Sequence, residues 1–577
     1  MSWIQAYDPL GNAFLSTLVA ALPIVLLLVA LGVLEWRAHL AAFSALAAAL
    51  MTSTAVFGMP PGPAAATAAF GAAYGFLPIG WIILNAVFLY NLTVETGQFE
   101  IVKHSVGRLS NDRRIQVLLV AFSFGAFIEG AAGFGTPVAI CSALLMGLGF
   151  RPLHAAGLSL IANTAPVAFG AIGTPILTLA AVTGLDAKTL GMMAGRQLPF
   201  VAVIVPAWLV VAMSGWRGLR GVWPAVLICG GSFAAVQFLW SNFVGPELVD
   251  IAGGLTSIAA LALFCRVWQP ATADGPNAAH DGPALAIRPD EHAPRAALVR
   301  AWMPWVFLSA AVMLWGLAPV KALLNGGPDG LAGYRAGRPP ASSPILAPSW
   351  EVPLLHRTVF REYPVRPDPV DRARLDDPAY RARRAEAAVF TLNWASATGT
   401  AILLAALATI LYLRIPAALA VRVAGRTLRR MRTSLATIML MLSLGFVTRY
   451  GGTDATLGLA FTKTGALYPF FATFLGWLGV ALTGSDTSSN VLFGSLQKIT
   501  AEQLGFNPIL ITTANSTGGV MGKMIDAQSI VVATAATGQT GQEGRILRFV
   551  FWHSLALATI MAVIVMLQAY VFPSMIP

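Results

Sequence analysis

The sequence predicts an all-α polytopic membrane protein with about 12–14 transmembrane segments, a prediction that rests on composition and on recurring apolar runs. The chain has 577 residues, of which 56% are apolar and 11% are charged, whereas a soluble chain carries about 25% charged residues. Its mean hydropathy is +0.71. Apolar runs of about 18 residues or more, long enough to cross a bilayer as a helix, recur along the whole chain.

The predicted spans have ends that sequence patterns place only to within a few residues. They are 14–34, 39–57, 68–92, 116–150, 153–184, 197–214, 222–243, 251–268, 302–318, 389–413, 433–449, 466–484, 485–536 and 548–572. Stretch 485–536 is weakly apolar and rich in Gly, Ser and Thr, which indicates interrupted helices.

Polar stretches divide the chain into two predicted transmembrane halves, 1–268 and 302–577. A predicted cytoplasmic loop, 269–301, joins the halves. A long predicted external loop, 319–388, lies inside the second half and is rich in Pro and Arg. We expect this loop to lack a core of its own and to form an external cap.

The predicted orientation follows from the basic residues. Lys and Arg cluster in the connections 103–114, 266–300 and 414–432, which the positive-inside rule places in the cytoplasm. Counting spans from these connections places the N-terminus and the loop 319–388 on the external side. The excess of positive charge is thereby explained without nucleic-acid binding.

An internal repeat is predicted from two short matches in the same order. "LGFRP" at 148–152 recurs as "LGFNP" at 504–508, and "IAN" ending at Asn163 is matched by "TAN" ending at Asn515. Such repeats are common in secondary transporters. The matches leave open whether the copies are parallel or inverted. The predicted repeat motifs are 121–176 and 482–530.

The first motif contains "FIEGAAGFGTP", with Glu129 as the one charge in the run 116–150. A straight helix of that length would rise about 52 Å, against a hydrocarbon core of about 30 Å. The glycines and Pro137 therefore predict a break, and a break at membrane depth is tolerated only inside protein or beside a cavity. Glu129 is interpreted either as a proton carrier or ion ligand, or as a structural acceptor for backbone amides.

The second motif contains "LTGSDTSSNVLFGSLQ", in which the six residues 485–490 are all polar. One interpretation is a binding cradle of hydroxyl groups with Asp486 as a titratable acid. The other is a capped helix start, because Ser, Thr and Asp accept hydrogen bonds from free N–H groups. A capped break still presents donors to a ligand, so both interpretations can hold.

The stretch "TTANSTGGVMGKMIDAQSI", 512–530, ends the second motif. Gly518 and Gly519 predict another break. Lys523 is its one cation, which could pair with a substrate carboxylate or with Asp526, or could extend to the membrane surface. Arg449 is interpreted either as a carboxylate-binding fork or as an interfacial anchor beside Tyr450.

No catalytic or metal-binding pattern occurs in the sequence. The three cysteines lie in apolar segments without paired spacing, and the histidines lack metal-ligand spacing. The motifs HExxH, GxSxG and CxxC are absent. We therefore expect neither an enzyme nor a cofactor or metal.

The chain resembles the L-lactate permease family, the bacterial lactate and glycolate:proton symporters. The resemblance covers nearly the whole chain and rests on "GAFIEGAAGFGTPVAI", "TGSDTSSN", "ANSTGGVMGKMI", "WGLAPVKALL" and "SATGTAILLAA". It implies proton-coupled symport of L-lactate, D-lactate and glycolate across the bacterial inner membrane. It also implies inverted repeats with re-entrant hairpins, and partners limited to substrate, protons and lipid. The oligomeric state stays open.

The residues expected to carry this function lie in the two motifs. The candidate proton-coupling residues are Glu129 and Asp486. The candidate substrate-binding residues are Ser485, Thr487, Ser488, Ser489, Asn490, Asn515, Ser516, Thr517, Asn163, Thr164, Gly130, Gly133, Lys523 and Gln528.

Two positions depart from the family pattern. Asp526 and Ala527 stand where a Ser-Pro pair is expected, and Arg449 and Gly451 stand where a smaller polar residue and Ser are expected. A different hydroxyacid substrate is therefore an open alternative. Sodium-coupled transport of a carboxylate or inorganic anion is another, and a lactate sensor without turnover is disfavoured because no signalling domain is evident.

Overall fold

The computed structural model describes residues 2–32, 34, 36–107, 109–110, 112–131, 133, 135–270, 294–335, 342–366, 368–539 and 542–577. Most of the predicted cytoplasmic loop 269–301, and residues 336–341 and 367 of the external loop, lie outside the described residues. Helices make up most of what is described, together with four short strands.

The first half of the chain begins with a two-residue strand, β1 (Trp3–Ile4), and then is helical. Its helices are α1 (Ala13–Gly32), α2 (Ala38–Met51), α3 (Pro61–Tyr74), α4 (Trp81–Glu95), α5 (Gln98–Gly107), α6 (Arg113–Val117), α7 (Gly125–Ala131), α8 (Thr136–Gly147), α9 (Pro152–Ala162), α10 (Gly170–Thr183), α11 (Ala187–Ala194), α12 (Leu198–Phe243) and α13 (Val249–Val267). A π-helical segment, Leu118–Phe124, joins α6 to α7.

The second half contains the other helices and three strands. The helices are α14 (Arg295–Gly316), α15 (Ala318–Arg335), α16 (Pro378–Arg384), α17 (Thr398–Leu413), α18 (Ala417–Gly451), α19 (Thr453–Phe461), α20 (Tyr468–Thr483), α21 (Asp486–Leu504), α22 (Pro508–Gly522), α23 (Ala527–Ala536) and α24 (Glu543–Tyr570). The strands are β2 (Ser349–Glu351), β3 (Val359–Phe360) and β4 (Val389–Thr391).

The described part of the chain has 10 helices long and apolar enough to cross a membrane, or 11 if one bent pair counts as a span. Helices α8 and α17 are apolar but shorter. Helix α12 provides two predicted spans, because Gly215 (φ 66°) interrupts it. A Cβ placed on Gly230 would lie 2.9 Å from the Ala202 carbonyl oxygen, whereas a straight helix would separate these residues by about 42 Å. The chain therefore folds back at Gly215.

The predicted span 68–92 lies within the candidate span Pro61–Glu95, which is interrupted near its middle. Leu77 adopts an extended backbone (φ −132°, ψ 121°) inside the segment Gly75–Gly80, which separates α3 from α4. The sequence "GFLPIG" carries two glycines and a proline, and these disrupt helices. This break was therefore visible in the sequence.

The predicted basic loop 414–432 is wrong, because most of it is helical. Helix α18 begins at Ala417, after Pro416, and continues to Gly451. Its first half is rich in Ala, Leu and Arg, which favour helix strongly. At 35 residues it is about 52 Å long and so extends well beyond a hydrocarbon core of about 30 Å. Likewise, the predicted span 389–413 is helical only from Thr398.

The run 116–150 is broken where the sequence predicts. The continuous helical span Arg113–Ala131 ends two residues after Glu129, and α8 starts at Thr136. That first span is entirely buried inside the protein. A second break separates α9 from the helical segment that follows, and the two are bent by 64°.

The second motif has a similar order of elements. Helix α20 ends at Gly484 in the left-handed conformation, and α21 starts at Asp486 after the Ser485 cap. Helix α22 is then separated from α23 by Lys523–Ile525 and the extended Asp526. In both motifs, two interrupted helix pairs follow one another across a short loop. The duplication and its inversion stay predictions, because similar element order alone does not establish them.

The predicted break at Gly518 and Gly519 is wrong, since α22 passes through both residues without interruption. The two glycines are packing positions. A Cβ on Gly518 would overlap the Thr473 carbonyl oxygen of α20, and one on Gly519 would lie 2.8 Å from a Val480 methyl group. Small residues of this kind let transmembrane helices approach closely.

Replacing Gly518 by Val is expected to prevent α20 and α22 from packing. The clash involves backbone as well as side-chain atoms, so it cannot be relieved by a rotamer change, and overpacking typically costs about 1–3 kcal/mol or more. We expect little monodisperse protein by size-exclusion chromatography in detergent. Gly231→Val in α12 is the matched control, because nothing lies within 4 Å of its Cβ position. Equal yields of both variants would contradict the packing role.

The loop 319–388 folds onto the rest of the molecule. Strand β3 pairs in parallel with β1 near the N-terminus, and β2 pairs antiparallel with β4. Leu355 and Val359 are fully buried and pack in one cluster with Phe446 of α18. The described loop residues thus pack against the helices and the N-terminal segment.

Glu386 links this loop to α18 through an ion pair. Its carboxylate pairs with Arg361 at 3.1 Å and with Arg449 at 3.4 Å. Arg449 also donates to the Val182 carbonyl oxygen at the end of α10 and lies over the Tyr450 ring. Burial raises the pKa of Glu386, but the two guanidinium groups outweigh burial and hold the pKa below its usual value.

Replacing Glu386 by Gln is expected to loosen the loop at neutral pH, because two partly buried arginines then lose their counter-charge. In the unchanged protein the ion pair stabilises the loop above the ordinary glutamate pKa of about 4.3. That stabilisation is lost as the pH falls through the lowered folded pKa. The readout is tryptic cleavage of 342–388 in sealed proteoliposomes. Asp376→Asn, at an exposed loop position, is the control. Unchanged cleavage of Glu386→Gln would contradict this anchoring role.

Candidate functional site

Glu129 lies beside three chain interruptions, at the ends of α7 and α9 and at the start of α10. Its side chain is 4% exposed, and its Oε2 atom has no hydrogen-bond partner among the described residues. Asn163, at the end of α9, lies close to the Glu129 carboxyl, yet both of its amide atoms also lack a partner there. Unpaired buried polar groups are costly, so this arrangement indicates a place for a ligand or a proton.

The backbone beside Glu129 is strained. Ala171, Ile172 and Gly173 all have positive φ (44°, 58° and 73°), a conformation that is costly for residues other than Gly and clusters at functional sites. Gly170 is required here, because a Cβ at this position would lie 2.5 Å from Glu129 Oε1. The backbone at the start of α10 therefore lies in direct contact with the buried Glu129 carboxyl.

Asp250 completes the group, and the sequence analysis missed it. It lies in the first turn of α13, is fully buried, and neither carboxyl oxygen has a partner among the described residues. A Cβ on Gly130 would lie 2.8 Å from the Asp250 Cβ, so the glycine after Glu129 lets α7 contact α13. Asp250 directly precedes the predicted span 251–268; the acid at that boundary was the available signal.

The candidate residues of α21 and α22 form a hydrogen-bonded network. Ser516 donates to Asp486 Oδ2 at 2.5 Å, and Asn515 donates to Asn490 Oδ1 at 2.9 Å. Ser489 donates to the Gly476 carbonyl oxygen at 3.2 Å. Asp486 Oδ1 has no partner in the described part of the chain. The network thus holds one carboxyl whose second oxygen is left for a ligand or a proton.

The six polar residues 485–490 do not form a single cradle, because a helix turns them to different sides. Ser485 caps α21 by accepting from Ser488 N at 3.3 Å. Thr487 and Ser488 line a cavity of about 20 Å³ against α18, room for about one water molecule. Asp486, Ser489 and Asn490 are buried and make their contacts with α20 and α22.

The other candidate residues lie at the edges of this network. Thr517 donates to Gln197 Oε1 at 2.7 Å. Gln197 is a second buried polar residue that the sequence analysis missed. Thr164, just after α9, donates to the Ile161 carbonyl oxygen at 2.8 Å. Gly133 has a positive φ of 58° and faces Ala171. Gln528 is exposed, and its side chain lies beside Gly484.

Lys523 does not extend to a membrane surface. Its side chain is 6% exposed, its ammonium group pairs with Asp526 at 3.2 Å, and it donates to the Gly484 carbonyl oxygen at 2.6 Å. Asp526 also caps α23 by accepting from Ser529 N at 2.7 Å. The departure from the expected Ser-Pro pair therefore supplies both a helix cap and a counter-charge for this lysine.

The residues around Glu129 and the α21–α22 network are adjacent. Asn490 donates to the Pro175 carbonyl oxygen of α10 at 3.2 Å, which links α21 to the strained segment beside Glu129. Lys523 and Asp526 are close enough to interact electrostatically with Glu129. The buried acids and amides of both motifs thus converge in one region, as expected when two motifs jointly form a site.

Comparison with known proteins places the chain in a family. The family model described as L-lactate permease matches residues 16–572. The chain is 46% identical to the glycolate permease and to the L-lactate permease of Escherichia coli (strain K12), and 44% identical to the L-lactate permease of Bacillus subtilis (strain 168). Each match covers 100% of both chains.

Among solved structures, the chain is similar to the YdaH transporter of Alcanivorax borkumensis, with a TM-score of 0.40 and 14% identity over 86% of each chain. That likeness is too distant to bear on the fold. The family match and the full-length relatives are decisive, and they agree with a multi-pass helical protein that has transporter rather than enzyme features. The chain belongs to the L-lactate permease family.

Proposed function

We propose that this protein is a proton-coupled symporter of L-lactate and related short 2-hydroxymonocarboxylates, including D-lactate and glycolate, in the bacterial inner membrane. The full-length relatives named lactate and glycolate permease support the substrate class. The single structural observation that carries the coupling is the buried, incompletely hydrogen-bonded carboxyl of Glu129 beside a broken helix. Acids in such positions are typical of proton relays.

The proposed substrate site lies between Glu129 and the α21–α22 network. Its polar groups are those whose hydrogen-bonding capacity is unused or exchangeable, namely Asn163, Asp486, Asn490, Asn515 and Ser516. Amide and hydroxyl donors suit the substrate carboxylate, and the amide oxygens suit its 2-hydroxyl group. Lys523 would add positive charge to the site when its pairing with Asp526 loosens.

The proposed proton carrier is Glu129 or Asp486. Burial of a carboxyl away from water favours its protonated form, so each can bind a proton from one side of the membrane and release it to the other. Proton and substrate are linked because an ionised acid beside the site repels the substrate carboxylate. Protonation removes that repulsion and permits the anion to bind.

The test is uptake of radiolabelled L-lactate by proteoliposomes that contain the purified protein. One set carries an imposed proton gradient and another a sodium gradient, with protein-free liposomes as the control. Proton-driven uptake that glycolate blocks and sulfate does not block is the expected result. Sodium-driven uptake would overturn the proton coupling. Failure of both gradients to drive uptake by folded protein would overturn lactate as the substrate.

A further inference from the structure

We propose that Asp250 is a second proton-binding group of the coupling machinery and exchanges a proton with Glu129. This inference rests on the proposed proton-coupled transport and adds a residue to it. The structure brings Asp250 next to Glu129 through a glycine contact between α7 and α13.

A capping role does not account for Asp250. An acid in the first turn of a helix normally accepts hydrogen bonds from the free N–H groups there. Asp250 is in the first turn of α13, yet neither of its carboxyl oxygens accepts a bond from any described residue. The N-cap residue of α13, Leu248, has a positive φ of 63° and makes no side-chain cap. The carboxyl is therefore buried without a structural partner.

The charges around the two acids differ. Glu129 is the charged group that acts on Asp250, and the turn before α13 adds a second acid, the half-buried Glu247. Helix α10, which also packs here, contributes no charged residue within Gly170–Thr183. Glu129, in contrast, interacts with Lys523 and Asp526 from the second motif. Among the described residues, a cation thus acts on Glu129, whereas none acts on Asp250.

This asymmetry defines the order of events. Two neighbouring buried carboxyls do not ionise together, because like charges repel strongly away from water. Asp250 therefore holds its proton while Glu129 is ionised towards Lys523. When Glu129 loses that interaction, the Asp250 O–H bond breaks and an O–H bond forms on a Glu129 oxygen, and the next proton from solution restores Asp250. Asn163, with both amide atoms unpartnered among the described residues, is placed to bond whichever form of Glu129 is present.

The test compares Asp250→Asn with the unchanged protein in proteoliposomes. Asparagine has the same shape as a protonated aspartic acid, so the fold and lactate–lactate exchange are expected to persist. Proton-driven accumulation is expected to fall to the level of equilibration, and the pH profile of exchange to shift by about one unit. Asp186→Asn is the matched control, because Asp186 caps α11 near the surface and asparagine caps equally well.

Because a buried substitution can prevent folding, Asp250→Glu is measured in parallel. It keeps a carboxyl at the site, and we expect accumulation with a displaced pH profile. Accumulation and pH profile equal to those of the unchanged protein in either variant would overturn this inference while leaving the proposed function intact. Sodium-driven uptake by the unchanged protein would overturn both, and would reassign the oxygens of Asp250 and Glu129 as cation ligands.

Discussion

Replacing Glu129 by Gln is expected to abolish uphill accumulation of lactate while preserving exchange of lactate across the membrane. Glutamine keeps the shape of the protonated carboxyl and its contact with Gly170, but it cannot release a proton. A proton gradient of one pH unit corresponds to about 1.4 kcal/mol, or about tenfold accumulation for one proton per substrate. The variant should therefore lose about tenfold in the ratio of internal to external lactate under such a gradient.

The measurement is paired uptake and counterflow in the same proteoliposome preparation, so that loss of coupling is separated from loss of protein. Glu351→Gln is the control, because the Glu351 side chain lies in the external loop and is 74% exposed. If Glu129→Gln still concentrates lactate against a gradient, Glu129 does not carry the coupled proton. Asp486 then becomes the remaining candidate of the two.

The sequence predicted the broken helices because their causes are local. The glycines after Glu129 end α7 within an apolar run that is too long for one span. Gly484 and Ser485 separate α20 from α21, where the sequence turns polar. Gly518 and Gly519 have the same composition signal, yet they lie inside α22. Whether a glycine breaks a helix or lets another helix approach depends on the neighbour across the interface, which local sequence does not specify.

The candidate site was predictable in part for a related reason. The sequence placed Asp486, Asn490, Asn515 and Ser516 in two separate stretches of the second motif, and the structure joins them into one network. The sequence could not predict which residues of 485–490 are buried against α20 and α22. The rotation of α21 about its own axis, which decides this, is set by packing on those two helices. Asp250 was missed because only the fold brings it close to Gly130 and Glu129, which lie more than a hundred residues earlier in the chain.

Replacing Asp526 by Ser, the residue expected in the family motif, is predicted to leave Lys523 without a counter-charge unless substrate is bound. Lys523 and Asp526 are 6% and 0% exposed, respectively, and lie 3.2 Å apart. Removing one partner of a buried ion pair typically costs about 3–5 kcal/mol, because the other charge stays buried and unpaired. We therefore expect a clear fall in the thermal unfolding temperature without ligand.

Lactate is expected to restore part of that stability, because its carboxylate can take the place of Asp526 beside the ammonium group. A ligand that binds only the folded state stabilises it by about 2.7 kcal/mol at 100 times its Kd, so the recovery should be measurable by unfolding in detergent. The double variant Lys523→Met with Asp526→Ser removes both charges and should lose the extra response to lactate. If Asp526→Ser responds to lactate no more than the unchanged protein, Lys523 does not face the substrate. Asp526 would then act only as a helix cap and internal counter-charge, and the departure from the family motif would bear on stability rather than on substrate choice.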